Sequence, residues 1–259
     1  MKMPFFITDL TSALSFLTRL RMPDLLMAEM PAGARAAWAY PLAGAIATIL
    51  PAIALAGFVW LGASPLVAAL LAVLISIMVC GGLHEDGLAD AADGLFGGRD
   101  RATALAIMKD SHSGVFGVIA VVLSLLLRAA ALAALVAHHG PTAAALLFIA
   151  AATAGRGSLV LQWTILPAAR TDGAAATLGR PGVRTTASAE AIALLLCVAL
   201  GIATNAFVQV VIGLAFAGIA SLLFSAFVRK RIAGHTGDTL GAAAQISEIV
   251  FLTTLVIAA

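Results

Sequence analysis

The amino-acid sequence predicts an all-α protein, a polytopic transmembrane helical bundle of about six or seven spans with an N-terminal amphipathic helix. Three observations predict this class. Hydrophobic residues make up 62% of the chain and charged residues only 11%, and the mean hydropathy is +1.07. Several apolar runs approach about 20 residues, the length with which a helix crosses a bilayer. Since backbone groups in lipid need internal partners, such runs must be helical, and a soluble fold is excluded.

The apolar runs give the expected spans in chain order. They are Trp38–Gly62, Pro65–Gly81, Val115–Ala137, Pro141–Leu166, Ala189–Ala203, Ala206–Val228 and Ile246–Ala258. The second and the last are short enough to be tilted, re-entrant or partly interfacial. Upstream, the stretch Pro4–Leu20 mixes large apolar residues such as Phe5 and Phe6 with polar ones such as Asp9. That mixture favours a helix lying in the membrane interface.

The basic residues orient these spans. Thirteen of the 15 Lys and Arg fall in four segments, 1–35, 82–114, 167–188 and 229–245, and the loops between them on the opposite side hold none. Cytoplasmic loops are the ones enriched in Lys and Arg. We therefore expect one integral-membrane domain, 1–259, whose interfacial N-terminal segment, acidic segment 82–114 and glycine-rich loop 229–245 face the cytoplasm. The net charge of +2 reflects this topology and gives no reason to expect a nucleic-acid partner.

An acidic cluster stands out in this apolar chain. Asp86, Asp90 and Asp93 follow His84 and Glu85 in a glycine- and alanine-rich stretch. On a helix that turns about 100° per residue, the three aspartates project from one stripe. Negative charges at such short distances repel one another unless a cation lies among them. Oxygen ligands suit Mg²⁺ or Mn²⁺. The alternative is a solvated acidic helix face, which is less favoured because no Lys or Arg lies four residues away to pair with the carboxylates.

Basic residues follow the acidic cluster. Arg99 and Arg101 come after two glycines, and Lys109 lies a few residues further on. Their donors match phosphate oxygens, and cations beside a carboxylate site suggest a diphosphate ligand. The alternative is that they are ordinary positive-inside anchors. A further cation, Arg156, lies inside a predicted span, where a guanidinium usually faces a polar cavity. We expect a ligand phosphate or a carboxylate as its partner.

A second polar loop precedes the last predicted span. Here Thr236 and Gly237 come just before Asp238, with glycines on both sides. Glycine-rich turns present backbone N–H groups to anions, and Asp238 could complete a metal shell or act as a general base. The alternative is a plain turn between helices.

These motifs resemble the cobalamin synthase family. The resemblance rests on three segments: the run from His84 to Gly94, the run Ile107-Met108-Lys109-Asp110-Ser111, and the run from Thr236 to Ala242. It extends over most of the chain, and the three motifs agree in order and spacing. It implies a Mg²⁺-dependent, multi-pass protein of the bacterial inner membrane with its active site on the cytoplasmic face. It also adds Asp110 and Ser111 to the expected substrate-binding residues.

The resemblance implies that the protein joins adenosylcobinamide-GDP to α-ribazole, or to α-ribazole 5′-phosphate, and releases GMP. A metal on the three aspartates would bridge the diphosphate, and a carboxylate would take the proton from the ribazole 5′-hydroxyl. Asp93 and Asp238 are the favoured bases, and His84 is a third choice. The alternatives are a membrane enzyme of the CDP-alcohol phosphotransferase type acting on another nucleotide diphosphate and, less favoured, a transporter. The oligomeric state, including a homodimer, stays open.

Overall fold

A computed structural model describes residues 5–23, 33–110, 112–170 and 177–258 of the protein. The described part is helical and contains no strand. In chain order its elements are α1 (Phe5–Leu17), a 3₁₀ helix (Gly33–Ala39), α2 (Tyr40–Trp60), α3 (Pro65–Cys80), α4 (Leu83–Ala92) with a π-helical continuation (Asp93–Gly97), α5 (Arg101–Ile107), the long segment Val115–Ile165, α8 (Val183–Ala203), α9 (Phe207–Ile232) and α10 (Gly237–Ile257). The predicted all-α class is confirmed.

The long segment is two helices, which we call α6 (115–139) and α7 (141–165). Gly140 between them has a non-helical backbone, with φ 78° and ψ 167°, and Pro141 follows. Arg128 on α6 and Arg156 on α7 both contact the carboxylate of Glu248. In a straight helix these arginines would lie about 42 Å apart, so α6 and α7 must form an antiparallel hairpin. The turn expected between the third and fourth predicted spans is confirmed.

Five helical segments of the described chain are long and apolar enough to cross a membrane, counting Val115–Ile165 once. A sixth is possible by length if α3 and the 83–97 helix form one broken span. Many large apolar side chains of these helices face outward, among them Leu126 on α6, Phe216 and Leu223 on α9 and Leu195 on α8. Because no water-soluble protein presents so much apolar surface along every long helix, the protein is a multi-pass membrane protein.

A sharp bend separates the third helix from the acidic motif. The axes of α3 and the 83–97 helix differ by 91°. Gly81 and Gly82 form the corner with φ values of 65° and 71°, which side chains with a Cβ atom rarely adopt. The chain therefore turns sharply between the end of α3 and the start of α4.

The glycine-rich loop is shorter than the sequence suggested. We expected a loop that covers residues 229 to 245, but α9 continues to Ile232 and α10 already begins at Gly237. A capping box explains the early start, since Thr236 and Thr239 each bond the other's backbone N–H through their hydroxyl groups. The last span is thus a full helix of 21 residues, and the expectation of a short or interfacial one is wrong.

The N-terminal helix packs with its polar side inward. Asp9 is buried, accepts a hydrogen bond of 2.9 Å from the indole N–H of Trp38, and forms an ion pair of 2.8 Å with Arg35. Phe5 and Phe6 point outward and are mostly exposed. An outward aromatic face is what a helix in the membrane interface requires, so the geometry agrees with the expected interfacial segment.

Candidate active site

The first turn of α10 packs directly against α4. A Cβ atom on Gly87 would lie 3.2 Å from the Cα atom of Asp238, and one on Gly241 would lie 3.5 Å from the Cα atom of His84. Glycines at both positions let the two backbones approach this closely. As a result Asp238, far away in sequence, lies beside the acidic motif, and the Asp90 carboxyl group experiences the negative charges of Asp86 and Asp238.

The three aspartates of the acidic motif occupy different environments. Asp86 is exposed, Asp90 is half-buried and Asp93 is only 6% exposed. The Asp93 carboxylate accepts hydrogen bonds from the backbone N–H groups of Gly114 (2.7 Å) and Gly117 (2.8 Å), at the start of α6. Negative charge there is stabilised by the free N–H groups of the helix terminus. Asp93 thus anchors the start of α6 in the structure, and its expected roles as a base and as a metal ligand stay predictions.

A shell of three carboxylates for a metal ion is not assembled. Among the described residues, no group of three or more His, Cys, Asp and Glu side chains is arranged to hold a metal. Magnesium, however, is usually bound through one or two carboxylates, several waters and the phosphates of the substrate. Asp86 and Asp90 lie one turn apart on α4 and make no hydrogen bond through their carboxylates to a described residue. This pair fits that mode of binding.

Asp238 is held in place by two contacts. It forms an ion pair of 3.1 Å with Arg170 and accepts a hydrogen bond of 3.1 Å from the Thr236 hydroxyl group. Its side chain stays 23% exposed. Thr236 itself is buried and caps α10, while Gly237 is exposed at the first position of that helix. Asp238 is therefore an oriented carboxylate with an accessible edge, as a general base requires.

His84 is the other titratable group at this junction. Its side chain is buried, and neither ring nitrogen has a hydrogen-bond partner. A buried polar group without a partner is costly, and it often marks a place where a ligand binds. His84 also borders a cavity of about 260 Å³ together with Asp86 and Asp238. A second cavity, of about 580 Å³, adjoins the first at Asp86 and is bordered by Arg19.

Behind α4 lies a buried polar network. Glu248 pairs with Arg128 (2.9 Å) and Arg156 (2.8 Å), and Arg128 also pairs with Glu85 (2.9 Å). Gln245 donates a further hydrogen bond of 2.9 Å to Glu85. Of the two partners expected for Arg156, the carboxylate is present as Glu248 of the same chain, and a contact of Arg156 with a substrate phosphate stays a prediction. The network fixes α4 against α6, α7 and α10.

The basic residues after the acidic motif also differ from expectation. Arg101 donates to the carbonyl oxygens of Ile232 (2.9 Å) and Ala169 (2.8 Å), so it joins segments of this face. Arg99 and Lys109 are exposed, and neither borders the two cavities.

Asp110 and Ser111 complete the set of expected substrate-binding residues. Asp110 is exposed and bonded to His112 at 2.6 Å, a contact that lowers the pKa of Asp110 and raises the pKa of His112. This pairing gives Asp110 a partner within the chain. Ser111 lies outside the described residues.

The link between α9 and α10 is rigidly tied to the loop after α7. The backbone N–H of His235 donates to the carbonyl of Pro167, and the carbonyl of His235 accepts from Ala169, both at 2.8 Å. Burial, reinforced by the charge of Arg180, lowers the pKa of His235 to about 4. The ring is therefore neutral at physiological pH, and the backbone of His235 holds this loop. The loop in turn fixes Arg170 and Asp238 relative to each other.

Sequence reasoning missed several contributors to the site, among them Arg19, which borders the larger cavity. Arg170 was counted only as a cytoplasmic base, and its contact with Asp238 depends on the pairing of two distant loops. Tyr40 and Trp163 border the 260 Å³ cavity. In an apolar span an aromatic residue facing a cavity has the same sequence pattern as one facing lipid, so no signal distinguished them.

The fold and the site define a polytopic membrane protein with a carboxylate-lined, two-cavity site at one end of its helical bundle. The chain belongs to the cobalamin-5-phosphate synthase family (CobS), whose model matches residues 9–256. It is 43% identical over 256 residues to an adenosylcobinamide-GDP ribazoletransferase of Rhizobium johnstonii, and 44% identical to one of Rhizobium etli, with 98% of both chains covered in each case. A Bradyrhizobium diazoefficiens protein of the same name is 41% identical and covers 95% of this chain. No solved structure matches the chain.

Proposed function

We propose that this protein transfers the adenosylcobinamide-phosphate moiety of adenosylcobinamide-GDP to α-ribazole or α-ribazole 5′-phosphate, with release of GMP. The observation that carries the proposal is full-length similarity, at 43% identity, to a protein named for this activity. The geometry supports it, because two cavities meet at Asp86 and two substrates must meet at the reacting phosphorus. The product is adenosylcobalamin, or its 5′-phosphate.

The reaction is a phosphoryl transfer. A ribose hydroxyl of the acceptor attacks the phosphorus that carries the cobinamide, the bond from that phosphorus to the GMP oxygen breaks, and GMP leaves with the electron pair. In a 5′-phosphorylated acceptor the 5′ oxygen already carries phosphate, so with that acceptor a hydroxyl other than the expected 5′-hydroxyl must attack. Asp238 takes the proton, since it is oriented by Arg170 and Thr236 and keeps an accessible edge.

We also propose that Mg²⁺ serves the reaction, with Asp86 and Asp90 as its protein ligands. Bound there, the ion would neutralise charge on the diphosphate oxygens. The residues of the chain perform the remaining tasks. Arg170 keeps the Asp238 carboxylate in position, and Arg19 lies at the border of the larger cavity, where a guanidinium can pair with phosphate oxygens.

Purified protein supplied with adenosylcobinamide-GDP and α-ribazole is expected to form adenosylcobalamin and GMP, detected by liquid chromatography. One or two carboxylates hold Mg²⁺ weakly without the substrate phosphates, so excess EDTA should remove the ion. EDTA should therefore abolish turnover, and added Mg²⁺ should restore it. Full activity in EDTA would contradict the metal proposal alone. No product under any condition would contradict the proposed function.

We place the active site on the cytoplasmic face of a bacterial inner membrane, as the distribution of basic residues suggests. An Arg99→Cys variant, at an exposed position near the acidic motif, should be protected from an impermeant thiol reagent in intact cells. A His138→Cys variant, at the exposed α6–α7 turn, should be labelled. Background labelling should be low because Cys80 and Cys197 are buried. Reversed labelling would show the opposite orientation.

A further inference from the structure

The 260 Å³ cavity has an aromatic side that the proton transfer does not use. Phe16 of α1, Tyr40 of α2 and Trp163 of α7 contribute rings from three separate elements. The ring centroids of Phe16 and Tyr40 are 6.2 Å apart, and those of Tyr40 and Trp163 are 5.9 Å apart. Such spacing is that of interacting aromatic rings, so the three form one continuous wall.

The chemistry of this wall selects a flat apolar ring. The indole N–H of Trp163 already donates to the carbonyl of Gly179 at 2.9 Å, and Leu159 and Leu178 fill the rest of the lining on that side. A guanine base would leave its several donors and acceptors unpaired against such a surface, which is costly. A benzimidazole with apolar substituents, joined to ribose through one nitrogen, has a single acceptor nitrogen and no donor, so it leaves far fewer groups unpaired, and base–aromatic stacking stabilises it.

The opposite side of the cavity is polar. Asp86 and Asp238 border it, and His84 contributes two buried ring nitrogens that have no partner in the chain. An imidazole nitrogen can donate or accept, so a sugar hydroxyl group in the cavity could pair with one of them. The cavity therefore combines an apolar slot for a ring with hydrogen-bonding groups for a ribose.

We propose that this cavity binds the acceptor nucleoside, with its benzimidazole ring against Phe16, Tyr40 and Trp163 and its ribose hydroxyls at His84 and Asp238. The proposal rests on the proposed function, which supplies the acceptor. The cavity, of about 260 Å³, lies just below the range of about 300 to 1,000 Å³ of small-molecule pockets, so it favours the smaller of the two substrates and is too small for a corrin ring with its side chains.

Phe16 offers the sharpest test, because it is 45% exposed and its replacement should not disturb the core. The Phe16→Ala variant is expected to raise both the KM for α-ribazole and the Kd for α-ribazole alone, measured by equilibrium dialysis, about tenfold or more, the lower part of the range for a lost base–aromatic stack. Phe16→Tyr keeps the ring and should keep the affinity. Phe6→Ala is the matched control, since Phe6 lies on the same helix, is 60% exposed and does not border the cavity.

Phe16 also borders the larger cavity, so the KM for adenosylcobinamide-GDP is measured in every variant. If Phe16→Ala raises the KM for α-ribazole by a larger factor than the KM for adenosylcobinamide-GDP, the proposal is supported. An unchanged Kd for α-ribazole in Phe16→Ala, or a larger increase in the KM for adenosylcobinamide-GDP than in the KM for α-ribazole, overturns the cavity proposal. Either result leaves the proposed function intact. Failure of the unmodified protein to make product overturns the proposed function, while its direct binding of α-ribazole still tests the cavity.

Discussion

The Asp238→Asn variant is expected to lose about 10²- to 10⁴-fold in kcat, the usual contribution of a positioned general base. Asparagine has nearly the shape of aspartate and can still accept the hydrogen bonds of Arg170 and Thr236, but it cannot take a proton. The fold should therefore survive while the chemical step slows. Initial rates at saturating concentrations of both substrates, in detergent or in proteoliposomes, measure the effect.

Asp100→Asn is the matched control for this prediction. Asp100 is exposed on the same face and caps α5 by accepting a hydrogen bond of 2.8 Å from Thr103 N–H. Asparagine caps helices as well as aspartate does, so neither stability nor turnover should change. If Asp238→Asn keeps near-normal kcat, Asp238 is only part of the capped turn that begins α10, and the base must be sought at His84 or Asp86.

The fold was largely predictable because it follows from hydropathy and from residues with strong local effects. Each apolar run became a helix, and the Gly140-Pro141 pair became the turn of the α6–α7 hairpin. The start of α10 was not predictable in this way. Its first turns contain glycines and a charged residue, which look like a loop, yet the Thr236 cap and close packing on α4 make them helical. Tertiary contact decided that boundary.

The site was predictable where residue type alone dictates chemistry. Carboxylates in an apolar chain pointed to Asp86 and Asp90, and the second motif pointed to Asp238, which the structure places beside them. The sequence could not show that Asp93 turns toward the N-terminus of α6, because its partners are backbone groups 21 and 24 residues away. For the same reason the partner of Arg156 was open between a ligand and a carboxylate, since Glu248 lies on another helix 92 residues later.

Removing the charge of Glu248 should have the largest effect on stability. Its carboxylate pairs with both Arg128 and Arg156, and all three side chains are at most 4% exposed. Glu248→Gln leaves the Arg156 guanidinium in the bundle without a countercharge, whereas Arg128 keeps Glu85. Breaking one side of a buried ion pair costs about 3–5 kcal/mol, so we expect a loss of that order in the free energy of unfolding. Denaturation in mixed micelles, followed by far-ultraviolet circular dichroism, measures it.

Glu190→Gln provides the control, because Glu190 is a half-buried carboxylate on α8 that forms no ion pair with a described residue. Its buried Oε1 atom has no partner among the described residues, so its replacement should not lower the free energy of unfolding, whereas that of Glu248 should. A second comparison isolates the unpaired charge. The double variant Glu248→Met, Arg156→Met removes both charges and fills their space with apolar chains, so it should be more stable than Glu248→Met alone. Equal destabilisation by the single and double variants would mean that packing around Glu248, and not its pairing with Arg156, holds α10 against α7.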